Sequence, residues 1–151
     1  MATSNGKAFV DTNILLRATI EGFPLYQEAK QLIYNQREIG TELWVSRQVI
    51  REYIAQATRP QSFAKPLPME RVDHQIRIIS RLFMVADETA QVTNKLLELL
   101  KEIPSGGKQI HDVNIIATML TFGISSLLTQ NIEDMRRFAG KITIVPLNQI
   151  L

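Results

Sequence analysis

The stretch Lys7-Ala8-Phe9-Val10-Asp11-Thr12-Asn13 decides the fold, because three polar residues directly follow a short apolar segment. Ala8-Phe9-Val10 has the length and composition of a buried strand. The apolar run Ile14-Leu15-Leu16 comes next, so the polar triplet lies between two segments that both belong in a core. A carboxylate is costly in such a place unless it has a role. Asp11 is therefore a candidate functional residue, and the alternative is an ordinary turn, which Asp and Asn also favour.

Strand-like and helix-like segments alternate along the rest of the chain. Helices are predicted for 24–36, from an N-cap at Ser46 to Thr58, from Met69 onward, and for 88–102, 111–122 and 133–138. Strands are predicted for 43–45, 126–129 and 142–145, with 83–86 as either a strand or the tail of a helix. Gly123 fits the left-handed position after a helix. The prolines of 60–68 indicate a loop, which we expect to be mobile.

Short strands separated by helices predict an α/β fold with a central parallel sheet covered on both faces. We expect four or five strands in a three-layer sandwich, forming one domain over 1–151. Ligands of such sheets bind at the carboxyl ends of the strands. Asp11 follows the first strand, and Thr129 and Asn131 follow a later one. These residues are therefore predicted to share one rim.

The composition excludes several classes of protein. Without cysteine there are no disulfides, zinc–thiolate sites or thiol catalysis. No segment approaches the roughly 18–20 apolar residues that span a bilayer, and the polar start at 1–6 does not resemble a signal peptide. We therefore expect a cytoplasmic protein without membrane contact. The charge of +2, from 17 basic and 15 acidic residues, is too small by itself to indicate nucleic-acid binding.

Three further acids, Glu52, Asp112 and Asp134, stand at the edges of apolar segments. Glu52 borders the apolar stripe of its helix and can reach inward, although a solvated position is the alternative. Asp112 precedes an apolar helix, where a favourable interaction with the helix dipole is the alternative. Asp134 follows Asn131 at a helix start, where capping is the alternative, and the adjacent Glu133 leaves the fourth acid open.

Carboxylates gathered from strand ends and helix starts repel one another, and a hard divalent cation is the usual remedy. A donor set of oxygens alone suits Mg²⁺ or Mn²⁺. The usual product of such a site is a metal-assisted hydrolase. His111 is interpreted as a supporting or surface residue, because one imidazole among carboxylates does not define a zinc site.

Each of the four acids stands in a short motif, and these motifs span 9–15, 45–53, 107–118 and 128–134, with a strand-like segment at 144–146 near the end. Together these segments resemble the motifs of PIN-domain nucleases, specifically the VapC-like toxins of bacterial toxin–antitoxin pairs, over nearly the whole chain. Met135 departs from the pattern, since the family usually has an aromatic residue directly after its fourth acid.

The resemblance implies an endoribonuclease that uses one or two Mg²⁺ or Mn²⁺ ions. Asp11 and Asp112 would be the strongest metal ligands, Glu52 would bind the metal or orient its water, and Asp134 would act on a second ion or through water. Hydrogen-bonding support would come from Thr12, Asn13, Ser46, Thr129 and Asn131. A basic rim holding the RNA backbone would comprise Arg47, Arg51, Lys108, Arg136 and Arg137, although these can be merely solubilising charges.

The resemblance also implies a cognate antitoxin and a homodimer, with helices 24–36 and 46–58 forming the antitoxin groove and the dimer surface. A partner could order the loop at 60–68. The alternative function is a catalytically silent PIN-fold module that binds RNA or protein. A receiver, a phosphatase of the Asp-x-Asp type and a P-loop enzyme are not supported, because their motifs are absent.

Overall fold

The computed structural model of the chain describes residues 6–147. The strands are β1 (Lys7–Val10), β2 (Glu42–Ser46), β3 (Met84–Ala86), β4 (Ser126–Leu128) and β5 (Thr143–Val145). The helices are α1 (Thr12–Thr19), α2 (Tyr26–Glu38), α3 (Arg47–Ala57), α4 (Met69–Leu82), α5 (Ala90–Glu102), α6 (Gln109–Thr121) and α7 (Ile132–Met135), and a 3₁₀ turn at Arg136–Phe138 follows α7.

The five strands form one parallel sheet in the order β3-β2-β1-β4-β5, which confirms the predicted α/β class. In the centre, Phe9 of β1 is in register with Trp44 of β2, and Val10 with Leu128 of β4. The chain builds outward from β1 to β2 and β3, and then returns to the other side of β1 for β4 and β5. The order therefore reverses between β1 and β4, and in open α/β sheets such a reversal opens a crevice at the carboxyl ends of the strands.

The helices form two groups. Right-handed crossovers that run in opposite directions from the centre of a sheet place their helices on opposite faces. Accordingly, α1 packs against α2 and α3, while α5 packs against α6, and α6 against α7. The sheet is therefore the middle of the three predicted layers. The core of the domain consists of fully buried residues from the strands and the helices, among them Phe9, Val45, Val49, Ile116 and Leu127.

Helix α1 was not predicted. The sequence here shows only the run Ile14-Leu15-Leu16, which lacks the spacing of a one-sided helix. All three residues are buried, and α1 packs against both α2 and α3. Asp11 is its N-cap, and the Asp11 carboxylate accepts a hydrogen bond from the Thr12 N–H.

Other boundaries differ from the predictions by a few residues. The segment 83–86 is resolved in favour of a strand, since α4 ends at Leu82 and β3 begins at Met84. Helix α6 begins at Gln109, so Asp112 lies within its first turn. The predictions for Ser46, which caps α3, and for Gly123, which has a φ of 69°, are confirmed. The loop after α3 makes internal contacts, including a 2.8 Å hydrogen bond from Leu67 N to Ala57 O.

The predictions for the chain ends lie partly outside the described residues. These are the domain limits at 1 and 151 and the polar segment 1–6, of which 1–5 are not described. Along residues 6–147, no helix combines the length and apolar character needed to cross a membrane.

Candidate active site

Asp11 lies at the carboxyl end of the central strand, next to the reversal in strand order. Its side chain is only 5 % exposed. Oδ1 accepts a 2.8 Å hydrogen bond from Thr12 N, and Oδ2 accepts bonds from Asn13 Nδ2 (3.2 Å) and Thr129 Oγ1 (2.8 Å). The Asp11 N–H donates to Leu128 O at 3.0 Å, which holds the start of α1 against β4. The carboxylate is thus oriented by the first residues of α1 and by the residue that follows β4.

The environment of Asp11 opposes its negative charge. The pKa of Asp11 is raised from 3.8 to about 6, mainly because the side chain is buried. The hydrogen bonds from Thr129 and Thr12 oppose this rise, and the charges of Glu52 and Asp112 add to it. A cation that approaches Asp11 would stabilise its ionised form.

Glu52 is brought towards Asp11 from α3, through the residue that follows Asp11. Thr12 Oγ1 donates a 2.8 Å hydrogen bond to Glu52 Oε1, and Gln48 Nε2 donates a 3.0 Å bond to Glu52 Oε2. Glu52 is half-buried. The structure thus places it inward, at the edge of the core, and not on the solvated face of its helix.

Asp112 and Asp134 form the other side of the acidic cluster. Burial raises the pKa of Asp112, and the charges of Asp134 and Glu52 raise it further, whereas those of Arg137 and His111 lower it. Asp134 lies on α7 and is exposed. Its neighbour Glu133 forms a 3.0 Å salt bridge with Arg136, and the Glu133 side chain is 81 % exposed. This geometry favours Asp134 over Glu133 as the fourth acid.

The residues predicted to support the acids fall into two groups. Thr129, Asn13 and Asn131 are linked, since Thr129 Oγ1 accepts bonds from Asn13 Nδ2 (3.2 Å) and Asn131 N (2.9 Å), while Asn13 Oδ1 accepts from Gln130 N (2.9 Å). Ser46 differs from them. It is buried, and its Oγ accepts from Val49 N at 3.3 Å, so its bond serves to cap α3.

Three of the predicted RNA-binding arginines are paired with acids. Arg47 contacts Asp87 at 3.0 Å and Arg51 contacts Glu88 at 3.2 Å. Arg136 contacts Glu133, as described above. Lys108 is exposed at the start of α6. These positions are on the surface, where such ion pairs contribute little stability.

Arg137 is in a different position from the other predicted cations. Its Nη1 donates to Ser105 Oγ at 2.6 Å, and its guanidinium lies 4.8 Å from the centre of the Phe138 ring. Its Nη2 is buried and has no hydrogen-bond partner among the described residues. Because its charge also lowers the pKa of Asp112, Arg137 lies within electrostatic reach of the acids.

The acids do not form a closed coordination shell. Within residues 6–147, no group of three or more histidine or acidic side chains is arranged so that it could hold a metal ion. The chemistry of the donors nevertheless fits a hard cation, because they are carboxylate oxygens that destabilise one another's charges. The described residues therefore place carboxylates near one another without forming a coordination shell.

A model of the family described as the PIN domain matches residues 8–141. The chain belongs to the PIN domain family. Comparison with curated protein sequences gave no match.

The fold of this PIN domain is similar to solved toxin–antitoxin structures. VapBC2 of Rickettsia felis, bound to a promoter DNA fragment, matches with a TM-score of 0.66 and 17% identity, covering 93% of this chain and 98% of that chain. VapC20 of Mycobacterium tuberculosis, described as a Sarcin-Ricin loop cleaving toxin, matches with a TM-score of 0.68 and 18% identity, covering 89% and 96%. VapBC-1 of nontypeable Haemophilus influenzae gives 0.64 and 18%, covering 94% and 98%. At these identities the likeness establishes the fold.

Two members of the hydrogen-bond network beside Glu52 in this PIN domain, Gln48 and Asn114, were not predicted from the sequence. Gln48 is 4% exposed and bonds to Glu52, to the His111 carbonyl and to Asn114. One signal was available, since Gln48 precedes Glu52 by four residues and therefore shares its helix face. The partners on α6 are 63 and 66 residues away along the chain, and no local pattern indicates them.

An apolar groove of about 260 Å³ lies away from the acids, between α1, α2 and α4. Ile33 and Tyr34 of α2 line one side, and Ile78 and Leu82 of α4 line the other, with Leu15 of α1 between them. Helix 24–36, which was predicted to form part of the antitoxin groove, corresponds to α2 and supplies lining residues to this apolar groove. Helix 46–58, the other predicted helix, contributes none of its lining residues.

Proposed function

We propose that this PIN domain is a metal-dependent endoribonuclease that hydrolyses RNA phosphodiester bonds. The observation that carries the proposal is the mutual repulsion of Asp11, Glu52, Asp112 and Asp134 beside the crevice where the strand order reverses. Burying Asp11 is unfavourable for the folded chain at neutral pH. Acids retained at such a cost are typical of functional sites.

The four carboxylates are the residues that would hold Mg²⁺ or Mn²⁺, as one ion or two. When bound, the metal would supply an activated water and stabilise the charge that develops on the phosphate oxygens. Thr129, Asn13 and Thr12 keep the Asp11 oxygens in fixed directions, and Thr12 also fixes Glu52. Asp134 is exposed, so it can approach an ion held by Asp112.

Arg137 is the cation that we expect to bind an RNA phosphate next to these acids. An acidic site repels the RNA backbone, so a nearby positive charge is needed to hold it. The charge of Arg137 already acts on Asp112, and the bond to Ser105 and the contact with Phe138 limit the motion of the guanidinium. The arginines Arg47, Arg51 and Arg136 would contribute a weaker, screened attraction because acids already neutralise them.

The proposed biological role is that of a toxin held by a cognate antitoxin in the cytoplasm, with homodimers as the assembled form. The likeness to the VapBC folds supports this role. The apolar groove between α1, α2 and α4 would take an amphipathic segment of the antitoxin. Tyr34 and Leu82 support this assignment because they are 57% and 47% exposed at the groove.

One observation favours the alternative, a silent PIN-fold module that binds RNA or protein without cutting it. The acids of residues 6–147 are not arranged as a metal site. The two functions predict opposite results when purified protein is incubated with a mixture of single-stranded and structured RNA. The nuclease cuts RNA in Mg²⁺ or Mn²⁺ and stops in EDTA, whereas the binding module retards RNA in a gel and leaves it intact under all three conditions.

A further inference from the structure

Gln48 is a buried polar residue that joins two of the proposed metal-binding helices. Its Nε2 donates to Glu52 Oε2 at 3.0 Å, on its own helix α3, and to the carbonyl of His111 at 2.9 Å, on α6. Its Oε1 accepts a 2.8 Å bond from Asn114 Nδ2, also on α6. His111 and Asn114 stand on either side of Asp112 in the chain. Gln48 therefore holds the turn of α6 that carries Asp112.

The Gln48 side chain is only 4% exposed, so its amide is buried against the groups to which it bonds on α3 and α6. Burying an amide is unfavourable unless its hydrogen bonds are made, and here three of the four that it can form are present. A satisfied polar network of this kind fixes one relative position of the elements that it connects.

We propose that Gln48 is a positioning residue for the metal site, which directs the Glu52 carboxylate and sets its separation from Asp112. This inference rests on the proposed metal-dependent function. Residues that orient metal ligands without touching the ion typically change metal affinity by about 10- to 100-fold when they are replaced. Asn114 acts through Gln48, because its side chain supports the Gln48 amide.

The test is Mn²⁺ titration of the purified protein by calorimetry, with five variants beside the wild type. Gln48→Met keeps the shape of the side chain and removes its hydrogen bonds. Asn114→Ala removes only the support of the amide, and a double variant combines the two. Val49→Ala is the matched control, since it destabilises the same helix without altering the network. Asp11→Asn reports on the metal site itself.

The expected result is a Mn²⁺ dissociation constant that rises about 10- to 100-fold in Gln48→Met and by less in Asn114→Ala. The double variant should resemble Gln48→Met, because the two residues act in one chain of hydrogen bonds. Val49→Ala should lower Tm and leave the dissociation constant unchanged. In RNA cleavage, Gln48→Met should lower kcat and leave KM for RNA unchanged, because Gln48 is not part of the proposed RNA-binding rim.

Two results separate failure of this inference from failure of the proposed function. If the wild type binds Mn²⁺, Asp11→Asn does not, and Gln48→Met binds as the wild type does, then Gln48 is only structural and the inference is overturned. If the wild type binds no Mn²⁺, or binds it no better than Asp11→Asn, the metal site itself is absent and both proposals fall. If Gln48→Met does not fold, unchanged Mn²⁺ affinity in Asn114→Ala overturns the inference.

Discussion

Thr129 Oγ1 donates a 2.8 Å hydrogen bond to Asp11 Oδ2, across 118 residues of sequence. The bond joins the carboxyl ends of β4 and β1, the two strands between which the sheet order reverses. It lowers the pKa of Asp11 and so opposes part of the effect of burial. A hydroxyl at the end of one strand therefore helps to set the charge state of an acid at the end of the next.

Replacing this hydroxyl should shift the pH dependence of cleavage. In Thr129→Val the stabilising bond is lost, so the pKa of Asp11 rises above its value of about 6. The acidic limb of the profile of kcat/KM against pH should then move to higher pH. Thr121→Val is a suitable control, because the Thr121 hydroxyl donates to Ala117 O, one turn back on its own helix. An acidic limb that stays in place in Thr129→Val would contradict the assigned role.

The buried charge of Asp11 should make the fold less stable as the pH rises. Because its folded pKa of about 6 exceeds the ordinary 3.8, the folded chain keeps a proton that the unfolded chain has released. The stability that this proton contributes below pH 3.8 is thus lost as the pH rises through about 6. In EDTA, the free energy of unfolding of the wild type relative to Asp11→Asn should fall by about 2 to 3 kcal/mol between pH 4 and pH 8. Urea denaturation measures this difference, and a constant value would contradict the burial of a titrating carboxylate.

A divalent cation should reverse this loss of stability. Metal ligands must be deprotonated to bind, so Mg²⁺ should raise Tm more at pH 8 than at pH 5, where Asp11 holds its proton. The gain follows from binding to the folded state alone. Thermal melts with and without Mg²⁺ at both pH values measure it. An equal rise at both pH values, or an equal rise in Asp11→Asn, would mean that the ion binds elsewhere.

Arg137 should matter more for RNA than the exposed arginines. Loss of one charge-assisted hydrogen bond corresponds to an affinity loss of about tenfold or more, so KM for RNA should rise by this factor in Arg137→Gln. Arg77→Gln is the matched control, because Arg77 is exposed and paired with Asp73 on α4. Steady-state kinetics on one RNA substrate compares the two. Equal effects would show that Arg137 contributes only to the general positive charge.

Much of the architecture could be predicted because its signals are local. Short apolar strands between amphipathic helices, the cap at Ser46 and the glycine at 123 each encode their own element. Helix α1 could not be predicted in this way. Its burial on several sides removes the spacing that marks a one-sided helix, and that burial depends on elements far along the chain.

The acids of the site could be predicted as candidates, since a carboxylate beside an apolar segment is visible in the sequence. Their hydrogen bonds could not. Glu52 is oriented by Thr12 and Gln48, and Arg137 by Ser105, through side-chain contacts that arise only once helices pack. The pairing of Arg47 and Arg51 with the acids after β3 likewise depends on the position of β3 at the edge of the sheet.

The most direct test of the central proposal is RNA cleavage by the purified wild type, Asp11→Asn, Asp112→Asn and Asp73→Asn, each assayed in Mg²⁺, Mn²⁺ and EDTA. Asp73 is an exposed acid on α4 and controls for a simple change of charge. We predict that the wild type and Asp73→Asn cut RNA when metal is present, and that both site variants lose about 100-fold or more of the rate. Intact RNA from folded wild-type protein in every condition, or equal cleavage by all four proteins, would contradict the proposal of a nuclease site built on these acids.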